Sequence, residues 1–322
     1  MNSTQAPGNQ PFIESATQQF LDSVEHDPPT HTISPAEARA ALGRMQSTPI
    51  GRPGADIQNG VLSIGPTGSV PVRIVRPRGA TDPLPAVMYF HGGGWVRGDA
   101  DTHDRLVREL AVGAQACVIQ VAYDLAPEAQ YPVAIEQAYA ATVHVSANAG
   151  AMGLDPTRLA VAGDDAGGTI AAAVTMLARD RQGPKIDLQI LLCPVLSADF
   201  ATESYAAFGQ GPWLTRADME WAWDHYLPDV TRRAEITAAP GQATIDQLRN
   251  LPEALIIVAE NDPLRDEGEC YARNLSDAGA RVTSVRYNGT IHDFIFLNAL
   301  ADTPAAMAAI AQAIGALRST FG

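Results

Sequence analysis

From about residue 61 onward, short apolar runs alternate with longer Ala-rich stretches along the chain. The apolar runs predict buried strands at 86–90, 117–122, 159–162, 188–192 and 255–259, and the stretches between most of them predict helices at 102–112, 133–149, 167–180 and 265–278. Strands that are apolar throughout are buried on both faces, as in a parallel sheet covered by helices. The pattern therefore predicts an α/β fold with a mostly parallel central sheet and helices on both of its faces.

The part of the chain that precedes this pattern predicts an edge strand and a cap segment. Residues 70–75 alternate apolar and polar positions, as a half-buried edge strand does. The first sixty residues are rich in Pro, Gln and Thr, with weak helical patterns at 12–25 and 34–45, and Ser34 followed by Pro35 is a favourable helix start. Because such a segment cannot form a core alone, we expect residues 1–55 to be a helical cap segment over a main domain at 56–322.

A second cap element is predicted as an insertion at about residues 198–232. This stretch falls between two core strands and contains three of the four Trp residues, namely Trp213, Trp221 and Trp223. Ligands of doubly wound folds bind at the carboxyl edge of the sheet, and a helical insertion there would cover them. An ordinary packed helical excursion is the alternative. The tryptophans either line a substrate pocket, the role assigned to Trp213, or pack against each other.

Composition and charge exclude several classes of partner. The 322 residues have a formal net charge of −14, and binding of nucleic acid requires clustered Lys and Arg. We find no apolar stretch long enough to span a membrane and no secretory signal at the N-terminus, so a cytoplasmic location is expected. The three cysteines contain no C-x-x-C pair. We therefore expect no metal site, with Cys117 and Cys193 as small residues of the core.

The first candidate for chemistry is the run H-G-G-G-W at 91–95, directly after the predicted strand at 86–90. Consecutive glycines let the backbone turn so that its N–H groups point into a site. An enzyme of acyl transfer needs such donors to hold the oxyanion of its tetrahedral intermediate. This run therefore predicts an oxyanion hole.

The second candidate is G-D-D-A-G-G at 163–168, which joins a predicted strand to an Ala-rich helix. It has the form of the G-x-S-x-G turn that presents a nucleophilic serine, but Asp165 occupies the serine position. The flanking glycines are needed because this strand-to-helix turn leaves no room for side chains. Residue 165 is therefore expected at the helix N-terminus, beside the N–H of Ala166, where the helix dipole favours an anion by about 0.3–1 kcal/mol.

Two further candidates follow later strands. Asp262 comes after the apolar run at 255–259, and His292 comes after a predicted strand near residues 281–287. A turn residue, then an acid, then a histidine is the chain order of the α/β-hydrolase triad. The sequence thus predicts an α/β-hydrolase fold with Asp165, Asp262 and His292 as its catalytic group. An anionic Asp165 is expected to raise the pKa of His292 by charge attraction.

From about residue 60 to the C-terminus, the chain resembles the hormone-sensitive-lipase-like family of esterases. The family's motifs have counterparts in H-G-G-G-W at 91–95, G-D-D-A-G-G at 163–168, D-P-L-R-D-E-G at 262–268 and H-D-F at 292–294. The resemblance implies hydrolysis of short-acyl carboxylic esters without a cofactor, on a small-molecule ester substrate. It also implies an oxyanion hole at Gly92, Gly93 and Ala166, with Asp262 orienting His292. A substrate contact is assigned to Trp95, and a homodimer would form through the last strand and helix.

Asp165 is the departure that affects the mechanism. A carboxylate needs no base for attack, but its attack on an ester carbonyl gives a high-energy anhydride. Three interpretations stay open at this point. Asp165 is a replacement that inactivates an ordinary esterase, or it works as a nucleophile or base, or the fold serves non-hydrolytic binding or lyase-type chemistry. The presence of both His292 and Asp262 favours chemistry over binding alone.

Overall fold

A computed structural model describes residues 12–322, which build an eight-stranded sheet in the order β1-β2-β4-β3-β5-β6-β7-β8. The strands are β1 (Ala55–Leu62), β2 (Val70–Pro77), β3 (Leu84–Phe90), β4 (Cys117–Val121), β5 (Leu154–Asp164), β6 (Leu188–Leu192), β7 (Glu253–Asn261) and β8 (Val282–Ile291). The pairs β1–β2 and β2–β4 are antiparallel, and all later pairs are parallel. The predicted mostly parallel sheet is confirmed.

The α-helices of the described residues cover both faces of this sheet. They are α1 (Ser15–Val24), α2 (Pro35–Met45), α3 (Asp104–Ala114), α4 (Val133–Ala147), α5 (Ala166–Asp180), α6 (Glu203–Phe208), α7 (Arg216–Tyr226), α8 (Arg265–Asp277) and α9 (Pro304–Phe321). Apolar side chains of α4, α5 and α8 belong to one buried cluster, and those of α3 and α9 belong to another. The sheet separates these two clusters.

The central strands show why their sequence is apolar throughout. Along β5, Val161 belongs to the cluster on the α4, α5 and α8 side, whereas Ala160 and Ala162 belong to the opposite cluster. Successive side chains of a strand point to opposite faces, so a strand covered on both sides needs an apolar residue at every position.

Strand β1 was not predicted from the sequence pattern. Most of its residues are exposed or half-buried, and it includes Asn59 and Gly60, so it has no apolar face to detect. It joins the sheet through backbone pairing with β2 at the edge. Pairing of backbone groups does not depend on side-chain polarity, which explains why periodicity missed it.

The N-terminal helices are bound to the loops that follow the carboxyl ends of the strands. The guanidinium of Arg39 donates to the carbonyls of Val96 and Ala126 and pairs with Glu128. In the same segment, His31 contacts Asp218 of α7 through its backbone N–H and ring. The predicted cap segment 1–55 includes residues 1–11, which lie outside the described residues. Its division from 56–322 stays a prediction.

A search of residues 12–322 for a helix long and apolar enough to cross a bilayer gives none.

Gln46 provides a test of how firmly the N-terminal segment is attached. Its buried amide donates to the carbonyls of Thr102 and Phe296, and its Oε1 accepts from the backbone N–H of Asn298. Gln46→Leu removes these hydrogen bonds and leaves the buried carbonyl of Thr102 and the N–H of Asn298 without this partner, while the carbonyl of Phe296 keeps Arg105. We therefore expect the free energy of unfolding to fall by about 2–3 kcal/mol. Denaturant unfolding followed by circular dichroism measures this change.

Gln18→Leu is the matched control, because the Gln18 amide bonds only to Asp22 on the exposed surface of α1. It should change stability by less than about 0.5 kcal/mol. Equal effects of the two substitutions would show that the Gln46 contacts do not hold the segment in place.

Candidate active site

The turn between β5 and α5 holds Asp165 in a rare backbone conformation, with φ 49° and ψ −120°. Such a conformation costs a residue with a side chain about 1–3 kcal/mol and persists only where the surrounding structure enforces it. Here a side chain on Gly163 or Gly167 would overlap backbone atoms of the same turn or of Phe90 at the end of β3. The close crossing of backbones therefore forces residue 165 to project from the turn.

The carboxylate of Asp165 accepts hydrogen bonds from the loop at residues 91–95, which we call the glycine loop. Its Oδ2 lies 2.8 Å from the N–H nitrogen of Gly93 and 2.6 Å from that of Gly94. Gly93 belongs to the predicted oxyanion hole of Gly92, Gly93 and Ala166, whereas Gly94 was not predicted. Gly93 and Gly94 have φ of 106° and 60°, and two successive residues of positive φ turn their N–H groups inward. The sequence of three consecutive glycines does not indicate which two of them direct their N–H groups toward residue 165.

Asp262 and His292 lie beside Asp165 at the carboxyl ends of parallel strands. Asp262 follows β7, and its Oδ2 is 2.9 Å from His292 Nδ1, while its Oδ1 accepts from the N–H of Leu264 at 2.9 Å. His292 follows β8, and its Nε2 is 3.6 Å from Asp165 Oδ1. The three side chains are buried. The structure thus brings together the residues that the sequence nominated as a catalytic group.

The charges of the site are mutually stabilising. Burial raises the pKa of Asp165, but contact with His292 and the N–H groups of Gly94 and Gly93 outweigh it and lower that pKa to about 2. Burial lowers the pKa of His292, but the charges of Asp262 and Asp293 and the contact with Asp165 raise it well above 6.5. The resting site is therefore an anionic Asp165 beside a protonated His292, in the direction expected from the sequence.

Two neighbours of His292 were not predicted as site residues. Asp293 places its Oδ1 3.5 Å from His292 Nε2, and Cys193 directly after β6 places its Sγ within 4.8 Å of atoms of Asp262 and His292. Within this group, Asp262 and His292 are hydrogen-bonded directly to each other. The H-D-F motif contained Asp293, but its sequence gave no sign of where the carboxylate points.

The two predicted substrate contacts pack within the protein. Trp95 is 1% exposed and stacks on Tyr226 of α7, with ring centroids 4.1 Å apart, and Trp223 lies 4.8 Å away. Trp213 packs edge-on against Phe20 of α1, with centroids 5.0 Å apart. These contacts bind the glycine loop to α7 and the insertion to α1. A direct contact of either indole with substrate stays a prediction.

Comparison with known proteins identifies the class. Residues 87–296 match the family described as the alpha/beta hydrolase fold. The carboxylesterase NlhH of Mycobacterium tuberculosis is 39% identical over 316 residues, which cover 96% of each chain. An ethyl acetate hydrolase of Pseudomonas putida is 33% identical over 280 residues, covering 84% of this chain and 86% of that protein. The crystal structure of a thermostable esterase from Pseudomonas putida superposes with a TM-score of 0.95 at 44% identity, covering 97% of this chain and 99% of that one.

The chain belongs to the α/β-hydrolase family, within its hormone-sensitive-lipase-like group. It is a carboxylesterase-like hydrolase, and its predicted fold is confirmed.

The ion pair between Asp165 and His292 predicts a defined pH window of stabilisation. Asp165 contributes stability above its unfolded pKa near 3.8 that is lost as the pH falls through about 2. His292, with a raised pKa, contributes stability below 6.5 that is lost as the pH rises through its folded value. Asp165→Asn should therefore cost most between about pH 4 and pH 6.5, by roughly 2 kcal/mol.

Urea unfolding of both proteins from pH 2.5 to pH 9 measures this difference. Asp246→Asn is the control for loss of one negative charge, because Asp246 is exposed and pairs only with Arg249 at the surface. A difference for Asp165→Asn that stays constant across the pH range would contradict the ion pair.

Proposed function

We propose that this protein is a short-acyl carboxylesterase whose site is held inactive by Asp165. The observation that carries the proposal is that Asp165 Oδ2 accepts from the N–H groups of Gly93 and Gly94. These donors suit an oxyanion, and the carboxylate oxygen occupies the position that the oxyanion would take. The name of one relative, ethyl acetate hydrolase, supports a small ester with a short acyl group as substrate.

A hydroxyl group at position 165 would supply the nucleophile that ester hydrolysis requires. The hydroxyl oxygen attacks the ester carbonyl while His292 Nε2 takes its proton, and Asp262 holds His292 through Nδ1–H. The carbonyl oxygen becomes an oxyanion that accepts from Gly93 and Gly94, and the N–H of Ala166 or Gly92 is the predicted further donor. The imidazolium then protonates the departing alcohol, and water activated by His292 hydrolyses the acyl-enzyme.

Asp165 interferes with this series of reaction steps in several ways. Its Oδ2 occupies the N–H donors of the hole, and its negative charge keeps His292 protonated and unable to accept a proton. Its attack on a carbonyl would give an anhydride. A carboxylate with a pKa of about 2 is also a weak base toward water. These arguments favour the inactivated site over a working Asp nucleophile or base, and no contact favours a non-hydrolytic role.

The surroundings of the site support further parts of the proposal. Residues 1–55 and 198–232 act as a cap over residues 56–322, and their contact through His31 and Asp218 supports this division. Trp213 of the insertion and Trp95 of the loop after β3 are the proposed substrate contacts. β8 forms an edge of the sheet, which leaves a strand free for a homodimer. The free cysteines are consistent with a reducing compartment such as the cytoplasm.

Asp165→Ser tests the proposal. It frees the N–H donors and supplies a hydroxyl nucleophile, so we expect hydrolysis of a short aryl ester such as p-nitrophenyl acetate to rise at least ~10³-fold. Loss of a triad nucleophile can reduce the turnover rate by about 10⁶-fold, which sets the upper range of the gain. A gain of 10³-fold corresponds to roughly 4 kcal/mol of transition-state stabilisation. Steady-state release of p-nitrophenol gives kcat and KM.

Two control variants separate the causes. Asp165→Ala frees the hole without a nucleophile and should stay nearly inactive, and Asp165→Ser combined with His292→Asn should lose the gain. If the Asp165 protein turns over faster than Asp165→Ser, the aspartate is a working catalyst, and single turnover in ¹⁸O water then distinguishes covalent attack from base catalysis. Inactivity of both folded forms would overturn the esterase assignment.

A further inference from the structure

Asp293 lies beside the catalytic histidine in an arrangement that the triad does not explain. Its Oδ1 is 3.5 Å from His292 Nε2, the nitrogen that exchanges protons with residue 165 and the leaving group. Asp262 engages the opposite nitrogen, Nδ1, at 2.9 Å. Each nitrogen of the His292 ring therefore faces a carboxylate besides Asp165.

The backbone of Asp293 holds its carboxylate in this place. Asp293 has a φ of 63°, in the left-handed region that Asp tolerates better than most residues with a side chain. Its backbone N–H is hydrogen-bonded to Cys193, and its backbone carbonyl accepts from the N–H groups of Phe296 and Leu297. The backbone is therefore held on both sides of the Asp293 side chain. Its side chain is only 13% exposed, and Oδ1 has no hydrogen-bond partner among the described residues. A buried polar oxygen without such a partner is costly unless it interacts with a nearby charge.

The charges around Asp293 come from several elements. Burial, together with the negative charges of Asp165 and Asp164, raises the pKa of Asp293 to about 7 against the opposing charges of His292 and His103. The titratable side chains that face Asp293 or the His292 ring are Tyr89, His103, Asp164, Asp165, Cys193 and Asp262. Because the Asp165 charge favours protonation of Asp293, a neutral residue at position 165 would leave Asp293 more fully ionised.

We propose that Asp293 is a positioning residue for His292, whose carboxylate attracts the Nε2–H of the imidazolium as Asp262 attracts Nδ1–H, and so sets how firmly His292 holds its proton during ester hydrolysis. The proposal concerns the site of the proposed esterase and rests on that function. Asp293 acts through His292, since its contact is with the imidazole ring and not with residue 165.

The consequence for the reaction follows from the sign of the charge. A carboxylate near Nε2 stabilises the imidazolium, so it helps His292 take the proton of an attacking hydroxyl. The same charge delays the loss of that proton when the pH is raised, so His292 becomes a free base only at higher pH. Removal of the Asp293 charge should therefore move the acidic limb of the pH–rate profile to lower pH.

The first experiment measures His292 directly in the Asp165 protein, without any need for activity. Titration of the imidazole nitrogens by ¹⁵N NMR gives the pKa of His292 in the parent and in Asp293→Asn and Asp293→Gly. Asn keeps the shape and tolerates the left-handed backbone, and Gly removes the side chain and relieves the backbone. We expect both variants to lower the pKa of His292 by about 1 or more, as an opposite charge at this distance would produce.

Gln182→Gly is the control for the backbone effect, because Gln182 is exposed and also has a positive φ, of 53°. Gln182 follows α5 and is distant in sequence from Asp293. It should leave the titration of His292 unchanged. A His292 pKa that is the same in the parent, Asp293→Asn and Asp293→Gly would overturn the proposal, whatever the esterase assay shows.

The second experiment uses the Asp165→Ser protein. Adding Asp293→Asn should shift the acidic limb of the kcat/KM profile down by about 1 pH unit, mainly through kcat, since Asp293 has no assigned contact with substrate. A purely structural residue would lower the rate at all pH values without moving the limb, and that result would also overturn the proposal. If Asp165→Ser is inactive, the proposed function fails, and the NMR titration still decides the role of Asp293.

Discussion

The close crossing between the β5–α5 turn and the end of β3 is the constraint on which the site depends. Gly163 and Gly167 allow backbones to approach where any side chain would overlap main-chain atoms. This crossing fixes the turn, and the turn fixes the direction of residue 165 regardless of its side chain. It also brings the loop after β3 within reach of residue 165, so the direction of Asp165 and its contact with Gly93 and Gly94 are consequences of the same crossing. In this position the Asp165 carboxylate meets the N–H groups of Gly93 and Gly94 with Oδ2 and faces His292 with Oδ1.

Charge balance explains why the site accepts an aspartate so well. A catalytic site for esters must stabilise a negative oxygen at the glycine loop and a positive His292 at the same moment. The Asp165 carboxylate supplies that negative oxygen permanently, and His292 responds with a raised pKa. The resting protein thus resembles the charge distribution of the tetrahedral intermediate. The site therefore binds its own Asp165 side chain through the pair of charges that the proposed ester hydrolysis would require.

The sequence allowed prediction of those features that depend on burial or on backbone space. Central strands such as β5 were found because coverage on both faces requires apolar residues, and the turn at Asp165 was found because crossing backbones require glycine. Features that depend on where an N–H group or a side chain points were not predicted. Gly94 was not predicted, and it donates to the Asp165 carboxylate together with Gly93. The position of the Asp293 carboxylate beside His292 depends on the left-handed backbone that follows β8. Strand β1 was missed because it joins the sheet by backbone pairing and has no buried residue that periodicity could detect.

Helix α7 of the insertion and the loop at residues 91–95 are in direct contact, which neither sequence motif suggests alone. Trp95 follows the glycine loop and lies stacked on Tyr226 of α7, and a Cβ on Gly94 would come within 3.1 Å of the Ala222 side chain. Helix α7 therefore presses directly on the loop that carries the N–H donors. Helix α7 also binds the N-terminal segment through Asp218 and His31, so that segment, α7 and the loop form one connected set of contacts. The aromatic residues of α7 thus support the loop whose N–H groups hold the Asp165 carboxylate, so a change in their packing would also alter the hydrogen bonds of Asp165.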